Sequence, residues 1–305
     1  MKPLPKIIIV TGPTASGKSS VAIKLAQLFA GEIINADSRQ VYKELHVGVA
    51  KPDESECQKV PHHLYDAVSI CEEFNAADYV SLADQIIKKI HGRGLIPIIV
   101  GGTGLYLRAL KHGLFQPPEI PEEVRAQLTL RASTEGLSVL HQELAEVDVE
   151  AAARIHVNDE VRIIRALEVY LATGKSISAW QSEHQFKSLR YETLEIGLKW
   201  PREALYERIN QRVVNMVRRG LEAEATELFK KHPNNAVLEK TIGYVEWLPY
   251  LRSESTQEQV VSLIQQNTRQ LAKRQTTWFK REPDLLWFEL TEEEKIVSIV
   301  NGFLK

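Results

Sequence analysis

Cysteine is nearly absent: Cys57 and Cys71 are the only two in 305 residues. That excludes a disulfide-stapled secreted scaffold and makes a reducing cytoplasm the expected compartment. Long apolar runs are also missing. The longest, residues 7–10 and 95–100, fall far short of the ~20 residues a bilayer span requires, so no membrane association is expected. No charge of one sign dominates, since 38 Lys+Arg stand against 40 Asp+Glu, and a polyanion-binding face must therefore be a local patch. Met1-Lys2-Pro3-Leu4-Pro5-Lys6 passes straight into a strand-like run, which leaves no expected signal or transit peptide. Internal repeats and low-complexity tracts are lacking too. What remains is 44% hydrophobic and 26% charged residues, a mix able to bury a sizeable core in one large or two modest domains.

Along the chain, Lys6-Ile7-Ile8-Ile9-Val10 reads as a strand, followed by a glycine-containing loop and a helix with apolar Val21, Leu25, Leu28 and Phe29. A second strand, Glu32-Ile33-Ile34-Asn35, delivers Ala36-Asp37-Ser38-Arg39-Gln40 at its end. Residues 74–91 predict a helix capped by Asn75 and stopped by Gly92 and Gly94, and residues 95–100 predict the next strand, emptying into Gly101-Gly102-Thr103-Gly104. Strand–helix alternation of this kind predicts a parallel sheet with helices on both faces. The texture changes at Gln116-Pro117-Pro118-Glu119-Ile120-Pro121, after which only helical patterns occur, over 122–132, 137–146 and from Asn158 or Asp159 to Thr173 with Gly174 as stop. A strand returns at 193–199, helices follow to Lys231 and over 256–280, and 285–290 reads as an edge strand. The expected fold is thus α/β: a P-loop NTPase-like parallel sheet flanked by helices, formed by residues 1–115 and 191–305, with an all-helical insertion at 116–190. No segment suggests oligomerisation, and a monomer is expected.

Gly12-Pro13-Thr14-Ala15-Ser16-Gly17-Lys18-Ser19 satisfies the phosphate-loop pattern between a strand and a helix. Such a loop turns backbone N–H groups inward as an anion nest at a helix N-terminus. Lys18 adds a point charge, and the Ser19 hydroxyl is suited to ligate Mg²⁺. An ordinary NTPase would also carry an acid at the end of a buried strand for Mg²⁺ and water, yet 95–100 ends in Gly101-Gly102-Thr103-Gly104 with none. The available acid is Asp37. Strand C-termini of a doubly wound sheet share one crevice, so Asp37, Thr103 and the loop should converge. There Asp37 is either a general base or metal partner, or merely the cap of a turn with Ser38.

Taken together, Gly12–Ser19, Asp37-Ser38-Arg39-Gln40-Val41-Tyr42, Ala50-Lys51-Pro52, His62-His63-Leu64-Tyr65-Asp66, Gly101-Gly102-Thr103-Gly104-Leu105-Tyr106, Asn158-Asp159 with Arg162 and Arg165-Ala166-Leu167-Glu168, Ile242-Gly243-Tyr244 and Lys273-Arg274-Gln275-Thr276-Thr277-Trp278-Phe279 stand in the order seen in one family. The chain resembles the bacterial tRNA dimethylallyltransferases over residues 6–281. The resemblance implies transfer of a dimethylallyl group from dimethylallyl diphosphate to N6 of the adenosine just 3′ of the anticodon (position 37). The tRNAs would be those reading codons that begin with U, and diphosphate would be released. By the same resemblance Gly12, Pro13, Thr14, Ala15, Ser16, Gly17, Lys18 and Ser19 hold the diphosphate, with Mg²⁺ on Ser19. An arginine from the helix over 203–220 completes the clamp; Arg212 is preferred to Arg208, one turn away. Asp37 accepts the N6 proton. Thr103 seats the target base, or caps its helix. The anticodon stem-loop is expected on Asp37, Ser38, Arg39, Gln40, Thr103, Val161, Arg162, Arg165, Ile242, Gly243, Tyr244, Lys273 and Arg274. The target base must leave its stack, and the basic segment 269–281 is suited to track phosphates while Trp278 and Phe279 pack.

Competing readings are an adenylate isopentenyltransferase, which would not need the insertion or the basic segment, and a small-metabolite kinase, which the acid-free strand end disfavours. A non-catalytic RNA-binding protein would not need the loop together with Asp37. Zinc on Cys57, His62, His63 and Cys71 is set aside because their spacing matches no standard site. Ser19 and Val49 stand where the family more often has threonine.

Overall fold

The structure is a computed structural model that describes residues 3–114, 120–184 and 189–305. Six strands form one sheet: β1 (Lys6–Thr11), β2 (Gly31–Asn35), β3 (His62–His63), β4 (Ile96–Gly101), β5 (Glu192–Leu198) and β6 (Leu286–Phe288). Their order is β3-β2-β4-β1-β5-β6, and every pairing is parallel. The central strands β1 and β4 are apolar on both faces because both are covered. Ile8 and Val10 of β1 join one buried cluster and Ile7 and Ile9 the other, as the two-residue period of a strand requires.

One cluster is closed by α1 (Lys18–Leu28) and by a C-terminal helix. The other is closed by α3 (Ala76–His91), α4 (Gly104–His112) and Phe279. The short α2 (Glu54–Lys59) precedes β3. Asn75 caps α3, as its sequence predicts, and does so in a reciprocal capping box with Asp78. After β5 come α10 (Arg202–Arg218), α11 (Leu221–Lys231), the single turn α12 (Leu248–Leu251), α13 (Gln257–Phe279) and α14 (Glu293–Leu304). A third cluster, with Tyr244 and Trp247 fully buried, packs α10, α11 and α13 around Val41 and Leu45.

Two compact units result: Met1–Lys111 with Arg190–Lys305, and His112–Leu189. Within the second, α5 (Glu122–Thr134), α6 (Leu137–Val147), α7 (Val149–Arg154), α8 (Glu160–Thr173) and α9 (Ile177–His184) enclose Leu128, Leu140, Leu144, Ile163 and Leu167. Asp159 caps α8, and Gly174 ends it in the left-handed conformation. The Pro-rich boundary expected at Gln116–Glu119 lies outside the described residues. The elements the sequence did not announce are α2, β3, α7, α9, α12 and α14. The first three span six, two and six residues, too short for a period to emerge. The edge strand expected over 285–290 shortens to Leu286–Phe288.

Candidate active site

The loop after β1, the turn after β2 and the turn after β4 open into a single cavity of about 900 Å³, lined entirely by the first unit. In-register pairing of Thr11 with Gly101 brings the ends of β1 and β4 side by side. Gly12 leaves β1 with φ +138°, and a Cβ there would meet the Leu198 carbonyl oxygen at 2.7 Å, so glycine is required on both counts. Gly17 is the left-handed N-cap of α1, whose first turn carries no acid of its own. The positive end of that helix is therefore offered to the cavity.

Lys18 Nζ donates to the carbonyl oxygens of Gly12 (3.1 Å) and Pro13 (2.8 Å), folding back over its own loop. Burial pushes its pKa down to about 8; the nearby Asp37 carboxylate opposes that shift and Arg212 adds to it. Arg212 Nη1 donates to Thr14 Oγ1 at 3.2 Å. Its pKa is also lowered by burial, again opposed by Asp37. Arg208 is arranged differently. Its guanidinium lies 4.3 Å from the Trp200 ring centre, and Nε donates to the Ala15 carbonyl at 3.0 Å. Trp200 Nε1 in turn donates to the Ser16 carbonyl at 2.9 Å. So of the two candidate arginines, Arg212 stands beside Lys18 and Asp37 while Arg208 braces the back of the loop.

Asp37 is held by its neighbours. Its backbone N–H donates to Asn35 Oδ1 (3.0 Å), and its Oδ1 accepts the Arg39 N–H (2.9 Å), leaving Oδ2 without a hydrogen-bond partner among the described residues. Thr103 Oγ1 accepts the Ser38 N–H at 2.9 Å, which ties the β2 turn to the β4 turn. Gly101 permits that contact, because a Cβ on it would stand 2.1 Å from the Ala36 carbonyl oxygen. Gln275, on α13, accepts the Thr14 N–H at 2.8 Å and donates to the Gly102 carbonyl at 3.0 Å.

Thr14 to Ser19, Asp37, Ser38, Arg39, Gln40, Thr103, Arg208, Arg212, Ile242, Gly243 and Arg274 all line this cavity, as their motifs predict, while Gly12 and Pro13 lie buried beneath the loop. Eight lysines and arginines face it against two acids, Asp37 and Glu56. The lining is thus cationic although the chain is not. Ser19 is exposed at the start of α1. No cluster of three acidic, histidine or cysteine side chains able to hold a metal occurs among the described residues. The protein therefore offers isolated oxygens, Ser19 Oγ and the Asp37 carboxylate, a set that fits Mg²⁺ arriving on phosphate oxygens and not a resident protein-caged ion.

Three residues expected at the anticodon stem-loop are already engaged within the protein. Tyr244 is fully buried, with its hydroxyl on Glu224 and its ring against Gly48, so it presents no side chain to a partner. Gln40 spends its amide nitrogen on the carbonyls of Val49 and Ala50, both at 2.9 Å, and so holds the cavity wall. Arg165 is paired with the buried Glu168, which also accepts two bonds from Arg125 (2.8 and 2.9 Å). Burial pushes the Glu168 pKa up, but the hydrogen bonds and charges of Arg125 and Arg165 together outweigh it and hold the carboxyl below its usual range. Val161 and Arg162 are exposed on α8 of the second unit, Arg162 with Asp159 at 3.1 Å. Lys273 is exposed and does not line the cavity. His63 pairs with buried Glu32 at 2.7 Å, a structural use of the paired histidines. Sequence reasoning missed Trp200 and Gln275. Gln275 lies within the 273–279 motif, between basic and aromatic neighbours whose chemistry is more conspicuous in sequence.

The IPP transferase family model matches residues 40–282. The tRNA dimethylallyltransferase of Geobacter metallireducens is 46% identical over 300 residues, covering 98% of this chain and 97% of that protein. The crystal structure of the full-length tRNA isopentenylpyrophosphate transferase from Bacillus halodurans is similar with a TM-score of 0.73 and 36% identity, over 98% of this chain and 96% of that one. A eukaryotic dimethylallyltransferase acting on tRNA is similar with a TM-score of 0.84 and 30% identity, over 98% and 79%.

Proposed function

The chain belongs to the IPP transferase family, and from that membership we propose that it moves the dimethylallyl group of dimethylallyl diphosphate to N6 of the adenosine following the anticodon in tRNAs that read codons beginning with U. The observation that carries this reading is the sharing of one cationic cavity by an anion-binding loop and the Asp37 carboxylate, whose charge is felt by both Lys18 and Arg212.

The diphosphate occupies the loop. Lys18 exchanges its hold on the Gly12 and Pro13 carbonyls for phosphate oxygens, and Arg212 approaches from α10. Mg²⁺, carried in on the diphosphate and met by Ser19 Oγ, would add charge neutralisation. The C1–O bond to the diphosphate breaks, the C1–N6 bond forms, and diphosphate departs as the anion these cations stabilise. Adenine N6 is a poor nucleophile because its lone pair is conjugated into the ring. Asp37 accepts the proton that N6 loses, through the carboxylate oxygen its turn leaves unengaged. Thr103 holds the Asp37 turn from behind, and its hydroxyl proton remains able to bond the swung-out base.

Incubation with labelled dimethylallyl diphosphate and unmodified tRNA tests the proposal, with AMP and with ATP alone as parallel acceptors. Label is expected on tRNA at the position after the anticodon. Label on AMP and not tRNA, or consumption of ATP with neither labelled, would overturn it.

A further inference from the structure

Gln275 joins the two halves of the proposed reaction, and the inference rests on that proposed function. Its Oε1 accepts the Thr14 N–H of the anion loop, and its Nε2 donates to the Gly102 carbonyl of the turn after β4. From Gly102 the chain passes directly to Thr103, which holds the Ser38 N–H next to Asp37. A single uncharged side chain thus spans from the loop that takes the leaving group to the turn beside the proton acceptor. The fit is close: a Cβ on Gly102 would stand 2.3 Å from Gln275 Nε2. We propose that Gln275 is a positioning residue for group transfer, setting the separation between the diphosphate loop and the Asp37 turn.

The chemistry demands such a part. Attack requires the accepting nitrogen and the departing carbon at roughly 3–3.5 Å, and a displacement of about 1 Å costs ~100-fold. A glutamine amide supplies a donor and an acceptor on two separate atoms, uncharged at every working pH, at the end of a side chain long enough to reach both partners. A carboxylate would face the Gly102 carbonyl oxygen and stand near the incoming diphosphate. A methionine would fill similar space with neither bond.

Gln275→Met and Gln275→Glu, assayed with dimethylallyl diphosphate and tRNA, test this. Gln275→Met is expected to lower kcat by roughly 10–100-fold, with the KM and the tRNA-free affinity for dimethylallyl diphosphate within about threefold. Gln275→Glu supplies a signature that lost packing would not: when protonated it regains both a donor and an acceptor. Its kcat relative to wild type at the same pH should therefore rise between about pH 8 and pH 5.5, while the Gln275→Met ratio stays flat. If Gln275→Met does not fold, the Gln275→Glu ratio decides alone. A wild-type enzyme that transfers while Gln275→Met keeps kcat within twofold, or a flat Gln275→Glu ratio, would overturn this inference only. A wild type that transfers nothing would overturn the proposed function and this inference with it.

Discussion

The two walls of the cavity are built on different principles. One consists of strand ends: the loop after β1, the Asp37 turn after β2 and the Gly101–Gly104 turn after β4. These hang from strands whose central residues are fully buried, so backbone N–H groups and short side chains are fixed by the sheet itself. The other wall is α10 and α13, which act through long side chains reaching inward: Arg208, Arg212, Arg274 and Gln275. The contrast separates two tasks. Groups whose position must hold to a fraction of an ångström sit on strand ends, and groups that supply charge or span a gap come from helices.

If that division is right, the largest loss should follow from the strand wall. Asp37→Ala is expected to lower turnover by ~100-fold or more, as removal of a general base does, with tRNA affinity little changed. An equal loss of tRNA binding in a filter or fluorescence assay would assign Asp37 to recognition instead. On the helix wall the two arginines should part company. Arg212→Ala, which removes a cation beside Lys18, is expected to cost ~100-fold in kcat. Arg208→Ala removes one bond to a loop carbonyl and a stack on Trp200, and should cost nearer ~10-fold. Equal effects would erase the distinction drawn between clamp and brace.

A smaller effect, read in pH, probes the loop itself. Burial disfavours the charge on Lys18 and pushes its pKa down to about 8. Binding an anion favours the charged form, so above that pH the enzyme must take up a proton to bind. Affinity for dimethylallyl diphosphate without tRNA should fall as pH rises past 8, by up to about tenfold per unit. Calorimetry between pH 7 and 9.5 would show it, and Lys18→Met should abolish the dependence along with most of the affinity. A flat profile for wild type would mean that Lys18 does not meet the phosphates.

The same contrast explains what the sequence made legible. The phosphate-loop motif, the Asp37 turn and Gly101-Gly102-Thr103-Gly104 are contiguous, and strand-end geometry places them together from topology alone. Arg212 and Gln275 lie about 200 and 260 residues from the loop they touch. No local pattern fixes which face of a 17- or 23-residue helix looks into a cavity. Arg208 and Arg212 share a helix face, so spacing could not separate their surroundings; the contact of Arg208 with the Trp200 ring does. Tyr244 presents the opposite case. Its motif is shared with the family, but Gly48 and Glu224 have made it a core residue, and a shared motif does not distinguish packing from contact.

The smallest effect concerns tRNA affinity, where two sets of basic residues differ in what already holds them. Lys273 and Arg274 on α13 are exposed and have no ion-pair partner among the described residues, whereas Arg165 is held by the buried Glu168. A phosphate can take up Lys273 and Arg274 without breaking an existing bond, but it must compete with Glu168 for Arg165. Lys273→Gln with Arg274→Gln is therefore expected to weaken tRNA binding by ~5–10-fold at physiological salt, and to flatten the log–log salt slope by about 1.5 for two phosphate contacts. The affinity for dimethylallyl diphosphate alone should remain within about threefold, because Lys273 lies off the cavity and Arg274 borders it beyond the loop's own contacts. Arg165→Gln should move the slope by less than half as much as the double substitution, and should instead lower thermal stability by stranding part of the Glu168 carboxylate's pairing. A salt slope that changes equally for both would mean that Arg165 leaves Glu168 when tRNA binds, and the contrast between the two basic sets would be lost.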